Sequence, residues 1–117
     1  MRINEIEFTD AVPVESYGPG FFKAGGTQID GPMIMSGAGP RAWGGLEDLD
    51  ALLALAGQID VLFVGMGAEI AHLPAGLRSR LEDAGLGVEV MGSPAACRTY
   101  NVLLSEGRRI ALAVLPV

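Results

Sequence analysis

Between Leu46 and Leu115 the chain alternates short apolar runs with stretches of helical spacing, and this alternation restricts the fold more than any other feature. The run Val61-Leu62-Phe63-Val64 contains no polar residue, as a central strand covered on both faces requires. Ahead of it, Leu46, Leu49, Leu53 and Ala56 fall on one helical face, with Leu52 beside them. Glu47, Asp48 and Asp50 crowd the first turn, where the positive end of the helix dipole favours acids. Gly57 is a natural stop. After the apolar run, a second helix is predicted from near Pro74, with Leu77, Leu81 and Ala84 as its buried face and Gly85 as its end. Val88 to Met91 reads as the next strand. Ser93-Pro94 predicts a helix start, with Ser93 as the cap and Pro94 at the first helical position. That helix runs to about Ser105, Gly107 closes it, and Arg109 to Leu115 is the last strand. Strands joined in this way lie parallel, linked by right-handed crossovers.

The N-terminal third has a different period. Ile6 and Phe8 alternate with polar neighbours, and Val12, Val14 and Tyr17 suggest a second extended piece, kept from helix by Pro13. Phe21 to Ala24 and Thr27 to Asp30 flank Gly25-Gly26, a pair that supplies the positive φ of a two-residue hairpin turn. Met33-Ile34-Met35 is a further short strand, and the glycine-rich stretch from Gly37 to Gly45 reads as a loop. The expected fold is therefore α/β: a single domain over residues 1–117, built as a three-layer β/β/α sandwich with a mixed sheet. N-terminal β-hairpins are followed by β-α-β-α-β-α-β.

Charge and composition exclude several functions. The chain of 117 residues carries a net charge of −6 with a pI near 4.6, whereas nucleic-acid binders present a basic stripe that displaces counterions. The imbalance is uneven: residues 1–70 hold three basic and ten acidic side chains, residues 71–117 five and four. A small anionic group can still bind near the C-terminal arginines. Cys97 is the lone cysteine, so no intrachain disulfide forms, and it reads as a small packed apolar group. With His72 and Cys97 as the only soft donors, no structural zinc is expected, and no cofactor is indicated. Glu5 and Glu7 do not suit a signal or presequence, and no apolar run approaches the ~20 residues of a membrane span. A cytoplasmic protein, not embedded in a membrane, is expected.

Candidate functional residues are few. Gly65 and Gly67 follow the apolar strand and would bring backbone N–H groups near an anion at the carboxyl end of a parallel sheet, or simply make a tight turn. They lack the third glycine of a dinucleotide fingerprint and the Lys-Ser/Thr of a phosphate loop. On the last helix, Ala96, Cys97, Tyr100, Leu103 and Leu104 share an apolar face, while Arg98, Asn101 and Ser105 share the opposite one. That polar face is either solvated or a donor-rich patch for a carboxylate, a phosphate or a partner's backbone, since Arg offers a forked donor and Asn both a donor and an acceptor. Trp43 either plugs the core edge or stands out as a binding anchor. Glu69 and His72, three residues apart, and Ser36 in Met-Ser-Gly-Ala-Gly are weak candidates for acid–base and nucleophilic work.

The run from Met91 through Gly92-Ser93-Pro94-Ala95-Ala96-Cys97-Arg98-Thr99-Tyr100-Asn101 to Arg109 resembles the signature of a family of small conserved α/β proteins of unknown function. That family includes an assembly factor of mitochondrial respiratory complex I (NADH dehydrogenase). Tyr17-Gly18, Gly20-Phe21, Trp43 and Gly65-Met66-Gly67 extend the resemblance over nearly the whole chain. The resemblance implies a compact three-layer α/β fold without established cofactor or catalytic residues, and for eukaryotic relatives a chaperone-like role in complex I assembly. The acidic N-terminus fits a bacterial-type cytosolic homologue.

Together these features point to a non-catalytic binding or assembly module that engages a protein partner through Gly65, Gly67, Arg98, Asn101 and Trp43. The alternative is a binder or enzyme of a small anionic metabolite, using the Gly65–Gly67 loop and the Arg98/Asn101 face. Association into a homo-oligomer is a third use of the apolar surface.

Overall fold

The structure, a computed structural model, describes residues 12–117; the strand expected around Ile6 and Phe8 lies outside the described residues. Among the described residues, eight strands and three helices follow one another as β1 (Val14–Gly18), β2 (Phe21–Ala24), β3 (Thr27–Asp30), β4 (Met33–Ser36), β5 (Gly39–Ala42), α1 (Leu49–Leu53), β6 (Val61–Gly65), α2 (Leu77–Asp83), β7 (Gly87–Met91), α3 (Ser93–Ser105) and β8 (Ile110–Val114). β1, β2 and β3 form a small antiparallel sheet. The other five make a mixed sheet in the order β5-β4-β8-β6-β7, parallel across β8-β6-β7 and antiparallel across β8-β4-β5.

The large sheet is covered on both faces because its strands are apolar at every position that meets a layer. Leu62 and Val64 of β6, Ala111 and Ala113 of β8, and Ile34 of β4 point to one face, where they meet Leu52 of α1, Leu55 just after it, and Leu77 and Leu81 of α2. Phe63, Leu112, Val114, Met33 and Met35 point to the other, where they meet Ala96, Cys97 and Tyr100 of α3 and Phe22, Ala24 and Val14 of the small sheet. The α/β three-layer architecture is thus present, with α3 and the small sheet sharing one outer layer. Right-handed crossover explains the split between helices. The chain steps outward from β6 to β7 through α2 and must return over β6 to β8, so α3 takes the opposite face.

Four local expectations are corrected. The stretch Gly37 to Gly45 contains β5, which pairs Met33 with Ala42 and Met35 with Pro40; β5 is an edge strand, where a proline without an N–H is tolerated. The first helix begins at Leu49, not Leu46, because Asp48 caps it, accepting from Ala51 N–H at 3.4 Å and from Gly44 N–H at 3.1 Å. Beyond Leu53 the turns close with i→i+3 bonds, so Leu52 and Leu55 are buried, while Leu46, Leu49 and Leu53 lie half-buried at the margin. The second helix begins at Leu77, after a turn in which Leu77 N–H donates to Pro74. Finally, Gly92 and not Ser93 is the N-cap of α3; the Ser93 hydroxyl is engaged elsewhere.

Candidate functional site

The parallel strands bring Gly65, Met91 and Val114 into one row at their carboxyl ends. Ligands of α/β sheets commonly bind at such a row. Here it is tied shut. Ser93 Oγ donates to the Leu115 carbonyl at 2.6 Å and accepts from Gly67 N–H at 2.9 Å, while Ser93 N–H donates to the Gly67 carbonyl at 2.7 Å. Leu115 N–H donates to the Gly65 carbonyl at 2.9 Å. Gly65 has no room for a side chain: a Cβ there would lie 2.7 Å from Ser93 Oγ and 2.8 Å from Ser93 Cα. The glycine lets α3 start against the end of β6, and the N–H of Gly67 points at Ser93.

Trp43 belongs to the core. Its ring is 4% exposed among Ile34, Leu52 and their neighbours, and its indole N–H donates to the Asp48 carbonyl at 3.2 Å. Of the two sequence readings, the core plug describes its position. Glu69 and His72 lie exposed in the loop between β6 and α2. Ser36 Oγ accepts from Ala38 N–H at 3.2 Å and closes the β4–β5 turn.

The polar face of α3 looks onto β1. The two elements bound a groove of about 310 Å³ lined by Glu15, Tyr17, Pro94, Cys97, Arg98, Asn101 and Val102, among others. Asn101 holds its walls together: Nδ2 donates to the Val14 carbonyl and Oδ1 accepts from Val14 N–H, both at 2.9 Å. Tyr17, 41% exposed, and Val102, 52% exposed, offer apolar surface. The Tyr17 ring is braced against Phe22, with centroids 6.3 Å apart. Arg98 is exposed and makes no ion pair among the described residues. Cys97 is buried at the floor, and burial pushes its thiol up to about 11, so it stays a neutral thiol at ordinary pH. Ser105 Oγ donates back to the Val102 carbonyl at 2.6 Å, an internal bond of the last turn.

Arg98 and Asn101 are therefore together, whereas Gly65, Gly67 and Trp43 do not line this groove. Tyr17, Glu15 and Val102 were missed as lining residues. Val102 had a sequence signal, since it follows Arg98 by four and shares its stripe. Tyr17 and Glu15 had none, because only the packing of α3 on β1 places them.

A family model described as "Protein of unknown function (DUF498/DUF598)" matches residues 14–115. The chain belongs to that family. An uncharacterised family relative from Rhodobacter capsulatus is 49% identical over 117 residues, covering 100% of this chain and 94% of its own. NADH dehydrogenase (ubiquinone) 1 alpha subcomplex assembly factor 3 of Danio rerio is 32% identical over 123 residues, covering 99% of this chain and 71% of its own. Among solved structures, an outer membrane protein from Bartonella henselae superposes with a TM-score of 0.81 at 33% identity, over 89% of this chain and 93% of that one. Some family relatives are thus complex I assembly factors and others are uncharacterised. Among the described residues of this chain, no helix is long and apolar enough to cross a membrane.

Proposed function

We propose that this chain is a non-catalytic docking module that holds a protein partner in the groove between β1 and α3, in an assembly role like that named for its eukaryotic relatives. The observation that carries this reading is that Arg98 lines one groove with the exposed Tyr17 and Val102, its two walls tied together by Asn101. Tyr and Arg, with Trp, are enriched at binding hot spots. A braced wall keeps them in place before the partner arrives, which lowers the ordering cost of association.

The test is a photo-crosslinking residue at position 102, expressed in the native host. A defined protein adduct, lost in the Arg98→Glu variant, is expected. No adduct, or an adduct indifferent to Arg98→Glu, overturns the proposal. Thermal stabilisation of the purified chain by a small anionic metabolite, abolished by Arg98→Glu, would instead favour a metabolite binder. Separation of host cells into cytosol and membranes tests the cytoplasmic setting expected from the sequence.

A further inference from the structure

β7 is the last strand of the large sheet, and among the described residues it has a neighbour on one side only. The direction of each backbone group follows from the bonds it makes. Met91 accepts from Met66 N–H, and Gly87 N–H donates to the Asp60 carbonyl, so Gly87, Glu89 and Met91 face β6. Val88 and Val90 alternate with them and present their N–H and C=O groups outward. The Val88 carbonyl confirms this, since it accepts from the Arg78 guanidinium at 3.0 Å. Arg78 reaches over from α2, where it also pairs with Glu82 at 3.3 Å, and so covers one of the open carbonyls.

Beside this edge lies a second cavity, of about 500 Å³, walled by the loop Ile70 to Gly76 together with Arg78 and Val90. Ile70 is 70% exposed, and Leu73, Pro74 and Ala75 add apolar surface. The cavity is on the face to which Val88 and Val90 point. Glu89, exposed, is on the other face. An edge whose backbone donors have no partner among the described residues, next to a pocket on one face, is the arrangement by which a sheet takes up an extended segment. Backbone bonds supply affinity and pockets for alternate side chains supply specificity.

We infer that the outer edge of β7 receives an extended segment of a partner protein that alternates apolar and basic residues, its apolar side chains on the Ile70–Gly76 pocket and its Lys or Arg beside Glu89. Charge selects this occupant. A second copy of the chain, pairing β7 with β7 about a two-fold axis in the central register that sets Val88 opposite Val90, would place Glu89 against Glu89, and like charges across a ladder are unfavourable. This surface is separate from the β1/α3 groove, so either can fail alone. Arg78 is displaced from Val88 when the segment binds.

The test is nuclear magnetic resonance of the full ¹⁵N-labelled chain with three blocked six-residue peptides: Thr-Val-Lys-Val-Lys-Val, the same with Glu for Lys, and the Lys peptide N-methylated along its backbone. The Lys peptide is expected to shift and protect the amides of Val88 and Val90. The Glu peptide is expected to bind about fivefold more weakly, and the methylated peptide not at all. Glu89→Lys, on an exposed side chain, should invert the order of the Lys and Glu peptides, and Val90→Pro should abolish binding by removing an outward N–H. The inference is overturned if neither peptide protects these amides, if N-methylation has no effect, or if Glu89→Lys leaves the preference unchanged. It is also overturned if light scattering shows a dimer whose Val88 and Val90 amides are protected without peptide.

Discussion

Asn101 of α3 brackets the backbone of Val14 in β1, donating to its carbonyl and accepting from its N–H over two bonds of 2.9 Å. One amide side chain thus replaces a neighbouring strand for that residue. β1 is irregular here, its register shifting between Val14 and Ser16. Asn101→Ala would leave both Val14 groups without their partner in a partly buried site. The expected loss is about 2 kcal/mol, read from urea unfolding, with faster amide exchange at Val14 than elsewhere in β1.

Ser93 is 1% exposed and joins the β6–α2 loop to the end of β8 through one hydroxyl. Ser93→Ala removes an acceptor from Gly67 N–H in a buried setting and a donor from the Leu115 carbonyl in a partly buried one. A loss of about 2–3 kcal/mol is expected, together with a lower Tm. A Tm unchanged within a degree would mean that water replaces the hydroxyl.

Gly65→Ala tests the close approach of α3 to β6. The added methyl would sit 2.7 Å from Val114 Cγ1 and 2.8 Å from the Ser93 backbone, and the backbone cannot yield without moving the helix. Overpacking of this kind costs about 1–3 kcal/mol, measurable by denaturant unfolding of the variant against the parent.

Alkaline pH should destabilise the fold through two buried groups. Burial pushes the Cys97 thiol from 9.0 up to about 11 and the Tyr100 phenol from 10.0 up to about 12. Both remain protonated in the native state after they have begun to ionise in the unfolded chain. Stability is therefore complete below pH 9 and declines as pH rises, through about 11 for Cys97 and about 12 for Tyr100. Each group contributes on the order of 2–3 kcal/mol to the decline. Unfolding free energies of Cys97→Ala against the parent should diverge in slope between pH 9 and 11, and the thiol should resist modification at pH 8.

Local periodicity carried much of the fold. The Gly25-Gly26 hairpin, the apolar run of β6, the Leu77/Leu81 face of α2 and the Cys97/Tyr100 face of α3 were legible because each depends on neighbours within a few positions. β5 was hidden, since Gly39-Pro40-Arg41-Ala42 has no strand pattern of its own and extends only because β4 lies beside it. Ser93 looked like a helix cap by its sequence position, yet its hydroxyl reaches residues 26 and 22 positions away.

The candidate site divides in the same way. That Arg98 and Asn101 share a stripe of α3 follows from their spacing alone, because helical geometry fixes which side chains align. The packing of α3 on β1 makes Asn101 a brace and Arg98 an exposed wall of a groove with Tyr17. The assembled fold likewise puts Trp43 in the core and turns the bonds of the Gly65–Gly67 turn to Ser93 and Leu115. Hydrogen bonds and burial depend on what the fold brings opposite a residue, and in this chain those partners lie as far as 87 positions away.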